Sequence, residues 1–307
     1  MSAATSAPSA SPPPAASGAS LAARAVGADK ALILVVPAAL FMLLVFVYPF
    51  VYGLLLSFNP MNGGGWLANY TKFFTTDNLW PTIYTTLKLA LPATLINVGL
   101  AVPIAYQMRR KSAYQKWVTT ILVIPITLGT VLIAEGMLTY FGPKGWLSQT
   151  LQFLHLYEGP IRLTHNFWGV IISLVISGFP FVFLLVLSYI TGIDPVLARA
   201  AATLGANPWN QFRYIYWPLL IPGVAMAFCL AFVQAFSVFP SAVLLGNPAG
   251  ATRVISIAAY EAAFEQYDYS LASAVAMIMG LVQLVIVAVV LGMRRMLYRG
   301  PVTGGKG

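Results

Sequence analysis

Charge is what this chain has least of. Asp, Glu, Lys and Arg make up 8% of its 307 residues, where a soluble domain carries about 25%. Hydrophobic residues make up 59%. That balance excludes an ordinary water-soluble fold and points to an integral membrane protein. A single cysteine, Cys229, excludes an internal disulfide; set in an apolar run, it reads as a small packing residue. The two histidines, His155 and His165, stand without cysteine or a close carboxylate pair at ligand spacing, so no metal site is expected. A phosphate loop is missing as well. Gly304-Gly305-Lys306-Gly307 lacks the earlier glycine and the following Ser or Thr that hold phosphates and magnesium. No nucleophile stands with a base and an orienting partner, so no catalytic residue is assigned and an enzyme is not expected. The net charge of +9 forms no basic stripe interleaved with aromatics, so nucleic acid is not an expected partner.

What is present is a set of long apolar runs. Six of them, roughly residues 31–58, 82–108, 117–141, 167–190, 219–245 and 271–293, reach the ~20 residues a helix needs to cross ~30 Å of hydrocarbon. The expected fold is therefore all-α: six transmembrane helices forming one domain over residues 23–299. Residues 1–22 carry no charge and lack the positive start and apolar core of a secretory signal. They read as a disordered tail, and residues 300–307 as a second one. Prolines interrupt several runs, at Pro37, Pro49, Pro92, Pro103, Pro125, Pro180, Pro222 and Pro240. Each is expected to kink its helix, as a packing irregularity or as a hinge.

Basic residues set the orientation. One set of connections holds Arg24, Lys30, Arg109, Arg110, Lys111, Lys116, Arg199, Arg213, Arg294, Arg295, Arg299 and Lys306, which is 12 of the 17. The opposite set holds Lys72, Lys144, Arg162 and Arg253 against Asp77, Glu158, Glu261, Glu265 and Asp268. Both termini are thus expected on the cytoplasmic side of the membrane. Trp80, Trp117, Tyr140 and Trp168 fall near run ends and read as interfacial anchors in membrane lipid. Glu261 and Glu265 share a face if residues 255–267 form a short helix; with Asp268 they make either a solvated face or a binding surface.

The cytoplasmic set contains a polar island, residues 194–218, punctuated as two short helices around a turn. Asp194-Pro195 and Asn207-Pro208 each place a capping side chain before a proline suited to the first helical position. Gly205 is suited to leaving a helix through a left-handed residue. Val196, Leu197, Ala200, Ala201 and Leu204 recur at helical spacing, as do Trp209, Phe212, Ile215 and Tyr216. The run Arg199-Ala200-Ala201-Ala202-Thr203-Leu204-Gly205, nine residues, then Ile215-Tyr216-Trp217-Pro218 resembles the EAA loop of permease subunits of binding-protein-dependent ABC importers. That motif reads Glu-Ala-Ala, three residues, Gly, nine residues, Ile-x-Leu-Pro. Arg199 stands where Glu is usual, and Trp217 where Leu is usual. The resemblance implies that Arg199, Ala200, Ala201, Gly205, Ala206, Trp209, Phe212, Ile215 and Pro218 couple the chain to cytoplasmic ABC ATPase subunits. It further implies a second permease subunit, identical or homologous, an extracytoplasmic solute-binding protein, and ATP with magnesium on the partner subunits only.

Ionisable and polar residues inside the runs are costly in hydrocarbon and mark candidate path positions. Lys88 and Glu135 each lie about six residues from an external run end, hence ~9 Å deep at ~1.5 Å per residue. They form an ion pair or line a cavity, with Lys88 able to snorkel outward. Asn97, Gln234 and Gln283 lie nearer mid-span and either bond across helices or line a path. Leu204-Gly205-Ala206 resembles polyamine, opine, thiamine and inorganic-ion permeases more than sugar permeases, and the surrounding apolar order looks most like the spermidine/putrescine type. A small cation such as a polyamine is the expected substrate; an opine, thiamine, inorganic anion or sugar is the alternative. An ATP-independent secondary transporter or channel is the rival class, and it leaves the polar 194–218 loop without a purpose.

Overall fold

The computed structural model describes residues 35–61, 63–109, 113–142, 145–154 and 164–297. The two expected tails, 1–22 and 300–307, and His155 lie outside them. Among the described residues every regular element is helical. Six helices among the described residues are long and apolar enough to span a membrane. They are α1 (Val35–Ser57), α3 (Pro81–Gln107), α4 (Ala113–Phe141), α6 (Phe167–Thr191), α8 (Pro208–Phe236) and α11 (Tyr269–Leu297). Short helices fill the connections: α2 (Ala68–Thr75), α5 (Trp146–Phe153), α7 (Pro195–Thr203), α9 (Pro240–Leu244) and α10 (Ile255–Tyr260). By contacts the chain divides into two units, up to Leu55 and from Leu56 onward. In the first, the described residues are a single helical segment of α1.

In the second unit, α3, α6 and α8 pack on one another; α4 adds to α6 and α11 to α8. Small residues permit this. Ala90, Ala93, Ala101 and Ala105 are fully buried along α3, and small side chains let helix backbones approach where lipid offers no hydrophobic drive. One core cluster lies toward the end opposite the 194–218 loop and includes Phe73, Leu89, Phe232, Phe236, Ile255 and Leu271. A second lies toward the loop end and includes Ala101, Val102, Phe183, Val186, Tyr216 and Leu220. Hydrogen bonds tie the short helices to the spans. Thr86 Oγ1 accepts from the Ile255 amide at 2.9 Å, and Ser173 and Ser241 share a bond of 2.8 Å.

At two of the expected prolines, Pro49 and Pro125, the backbone departs from a simple kink. Pro92, Pro103, Pro125, Pro180 and Pro222 all lie inside helices. The backbone break in α4 is at Gly129, with φ 73 and ψ 168, not at Pro125. A wide π-helical turn, Leu43–Val47, ends two residues before Pro49, and another, Phe212–Tyr216, ends two residues before Pro218. A proline ring clashes with the carbonyl four residues back, and a wide turn moves that carbonyl aside. The fifth span also departs from its expected bounds of 219–245. It starts at Pro208, because the π turn carries the second loop helix straight into the span. It stops at Phe236, since Phe239 precedes Pro240 and sits at φ −131, ψ −59, out of the helical region that a following proline disfavours.

Candidate functional site

The 194–218 loop is built from local signals. The Asp194 carboxylate accepts from the Val196 amide at 2.9 Å, with Pro195 opening α7. At the other end Gly205 adopts φ +82. Its amide donates to the Ala202 carbonyl, and the Ala206 amide donates to the Ala201 carbonyl, both at 3.0 Å. These paired bonds close a Schellman turn, which needs a left-handed residue at the position Gly205 holds. Asn207 then caps the next helix, its Oδ1 accepting from the Asn210 amide at 2.8 Å. The expected second short helix is thus the first turn of α8, and the loop joins that span without a joint.

Side chains fasten the loop to α3. The Tyr106 hydroxyl donates to the Pro208 carbonyl at 3.0 Å, while within the loop the Gln211 amide nitrogen donates to the Ala206 carbonyl at 2.9 Å. The Tyr106 ring meets Phe212 and Tyr216 edge-on at 4.8 and 5.2 Å. Arg109 covers the Tyr106 ring at 3.9 Å and donates to the Tyr106 carbonyl at 2.6 Å. Aromatic edges and a cation over a ring face are favourable geometries. These contacts tie the loop to the end of α3.

The opposite side of the loop is open. None of the residues of α7 is buried. Its half-buried positions are Ala198 and Ala201, whereas Val196 and Leu197 face outward. Leu204 is 89% exposed and Trp209 64%. Of the coupling positions assigned from the motif, Arg199, Ala200, Gly205 and Trp209 are exposed, and Ala206, Phe212, Ile215 and Pro218 half-buried. Between α7 and the ends of α3, α6 and α8 lies a cleft of about 660 Å³, lined among others by Arg109, Thr191, Arg199, Gln211 and Tyr216.

The five candidate path residues do not converge. Lys88 is exposed, stands over the Tyr84 ring at 4.3 Å, and lines a cleft of about 810 Å³ with Pro92 and Phe167. Glu135 is exposed in a separate cleft of about 500 Å³ with Thr139 and Trp146. The expected pairing of these two charges is absent: matched depth did not bring them together, because α4 packs on α6 and α9 while α3 packs on α6 and α8. Asn97 is 2% exposed; its Nδ2 donates to the Leu174 carbonyl at 3.3 Å, and its Oδ1 has no partner among the described residues. Gln283 bonds Ser237 Oγ at 2.8 Å, a bond across helices, and Gln234 is exposed.

Of the described carboxylates in the connections opposite the loop, Asp77, Glu261, Glu265 and Asp268, two are engaged in ion pairs. Glu261 pairs with Arg253. Asp268 pairs with Lys72 at 3.4 Å, and its other oxygen accepts from the Leu271 amide at 3.0 Å, capping α11. The helix expected over residues 255–267 ends in a π turn, Glu261–Glu265, and Tyr267 takes φ 54. Tyr106, Arg109 and Gln211 are the residues that sequence reasoning missed at the loop. Arg109 was legible only as a topogenic charge, and nothing local marks Tyr106 as a partner of a carbonyl 102 positions away.

Residues 97–301 match the family model of the binding-protein-dependent transport system inner membrane component. A probable sulfate transport system permease of Prototheca wickerhamii is 26% identical over 203 residues, covering 66% of this chain and 78% of the relative. A spermidine/putrescine transport system permease of Haemophilus influenzae is 30% identical over 183 residues, covering 59% of this chain and 63% of the relative. In fold, the chain matches one from a bacterial alginate ABC transporter, solved in complex with an alginate pentasaccharide-bound periplasmic protein. The TM-score is 0.77 at 23% identity, over 91% of this chain and 99% of that one.

Proposed function

This chain belongs to the family of inner membrane components of binding-protein-dependent transport systems, and from that membership we propose that it couples solute movement to ATP hydrolysis through the 194–218 loop. The chain is a permease subunit of an ABC importer, a transport component and not a catalytic one. The observation that carries the coupling reading is the loop itself: capped at both helix starts, closed by Gly205, fastened to α3 through Tyr106, and open on its outer side. A rigid element with an unburied face suits docking, and its bond to α3 suits transmission.

In this reading the loop and both termini face the cytoplasm, as the distribution of basic residues favours. ATP and magnesium are held by ATPase subunits there. Closure of those subunits pushes α7, the push reaches α3 through Tyr106 and α8 through the π turn, and the spans rock between inward-open and outward-open arrangements. A second permease subunit completes the path, and an extracytoplasmic binding protein delivers the solute.

The substrate we propose is a small cation of polyamine type. Leu204-Gly205-Ala206 and the similarity to a spermidine/putrescine permease support it. So does Glu135, a carboxylate inside a span, in a cleft and without a cationic partner among the described residues. The external carboxylates support it less than their number implied, because Glu261 and Asp268 serve internal pairs. An anionic substrate is the second reading, favoured by Lys88 in its own cleft and by the similarity to a sulfate permease. Proteoliposomes holding the complete transporter, supplied with ATP, the binding protein and labelled putrescine, sulfate or a sugar, separate the readings. Putrescine uptake is expected. Sulfate or sugar uptake without putrescine uptake rejects the cation and leaves the permease assignment intact; uptake independent of ATP rejects the coupling role.

A further inference from the structure

The loop and the cleft beneath it carry an uncompensated positive charge. Arg199 is exposed on α7, and the other charged side chain lining its cleft is Arg109. Arg109 is fixed in place, stacked on Tyr106 at 3.9 Å and lying 5.3 Å from the Tyr216 ring. The loop's carboxylate, Asp194, caps α7. Among the described residues the ion pairs are Lys72–Asp268 and Arg253–Glu261, both at the opposite end of the bundle, so neither arginine has an anionic partner here. Arg110, Lys111 and Arg213 add to the positive charge of the same connections in sequence. Two guanidinium groups on one cleft repel each other until an anion enters between them.

We propose that this cleft receives an acidic side chain of the ATPase partner, and that Arg199 is the residue that selects it. The proposal rests on the docking role given to the loop above. A carboxylate fits because a guanidinium offers it two parallel N–H donors. A protein donor fits because the same loop exposes large apolar side chains, Leu204 and Trp209, as in an interface with anchors at its centre and charges at its rim. The motif this loop resembles has Glu where Arg199 stands. A partner surface built to meet Glu would meet like charge here, which costs association. The ATPase that serves this chain therefore carries the reversed sign at that contact, and permeases with the usual Glu are poor competitors for it.

The test uses the whole transporter, purified through a tag on this chain, with the amount of co-purified ATPase as the readout and thermal melting as a control for folding. Because no residue of α7 is buried, substitutions at Arg199 are expected to leave melting unchanged. Arg199→Glu is expected to lower ATPase recovery about tenfold or more, and Arg199→Gln by less. Selection for restored uptake in cells carrying Arg199→Glu should return ATPase variants in which an Asp or Glu has become Lys or Arg. Leu204→Asp, placed on the exposed face away from the charge, tests the docking role by itself. If Leu204→Asp loses the ATPase while Arg199→Glu retains it, or gains it, the acidic contact is overturned and the docking role stands. If neither variant changes recovery, the docking role falls and the acidic contact with it. If Arg199→Glu acts only in nanodiscs containing phosphatidylglycerol and not in phosphatidylcholine ones, the cleft serves lipid headgroups and the proposal is overturned.

Discussion

Replacing Gly205 by valine isolates backbone torsion as the quantity that holds the loop in shape. Gly205 sits at φ +82, and a Cβ placed on it would meet nothing within 4 Å. Any cost is therefore conformational and not a clash with neighbours. A left-handed conformation costs an L-residue about 1–2 kcal/mol, and more for a β-branched one. The conformation also positions two hydrogen bonds, from Gly205 to Ala202 and from Ala206 to Ala201, each with a net value of about 0.5–1.5 kcal/mol. If relaxation of the turn sacrifices one of them, the total is about 1.5–3.5 kcal/mol, a shift of roughly 10–300-fold away from the docking geometry at 1.4 kcal/mol per factor of ten. Membrane insertion and the melting temperature in detergent should not move, because α7 buries no residue. ATP-dependent uptake in proteoliposomes and ATPase co-purification should collapse for Gly205→Val, fall moderately for Gly205→Ala and least for Gly205→Asn, since Asn visits the left-handed region more readily. Wild-type uptake by a stably inserted Gly205→Val protein would refute the reasoning. Equal damage from all three would refute the torsional part of it, pointing to bulk at a position where the structure leaves room.

Tyr106→Phe removes the hydroxyl that donates to Pro208 and keeps the ring contacts. A loss of about 0.5–1.5 kcal/mol in stability is expected, with more ATP hydrolysed per solute imported; Tyr106→Ala should uncouple further, and unchanged coupling in both would remove Tyr106 from the transmission route. Gly178→Ala places a Cβ 2.5 Å from Asn97 Nδ2 at the α3–α6 crossing. It should cost about 1–3 kcal/mol in detergent melting and be partly relieved by Asn97→Ala, so additive effects of the two would refute the contact. Lys88→Met and Glu135→Gln, which share no partner, should be additive in stability within about 0.5 kcal/mol. A coupling well beyond that would reveal a contact this conformation does not contain.

The six spans, the capped start of α7 at Asp194, the glycine turn at Gly205 and the second cap at Asn207 were all legible in the sequence, because each is decided within a few residues of itself. A span depends on summed transfer free energy along one stretch, a cap on a side chain reaching two or three residues onward, and a left-handed turn on the absence of a Cβ. The path residues show where that stops. Hydropathy gives Lys88 and Glu135 a depth, which is a single coordinate, and equal depth made them look like partners. The neighbour of each helix and its rotation about its axis are set by packing, here by the small residues that let α3 lie against α6 and α8. The same limit hid the bond from Tyr106 to Pro208 across 102 positions and the pair Lys72–Asp268 across 196. It also hid the engagement of two carboxylates opposite the loop, Glu261 tied to Arg253 within its own connection and Asp268 to Lys72 of another. Local physical chemistry determined what each segment is; which segments touch was left to the tertiary structure, because a contact between distant positions is favourable only in the company of the others that form with it.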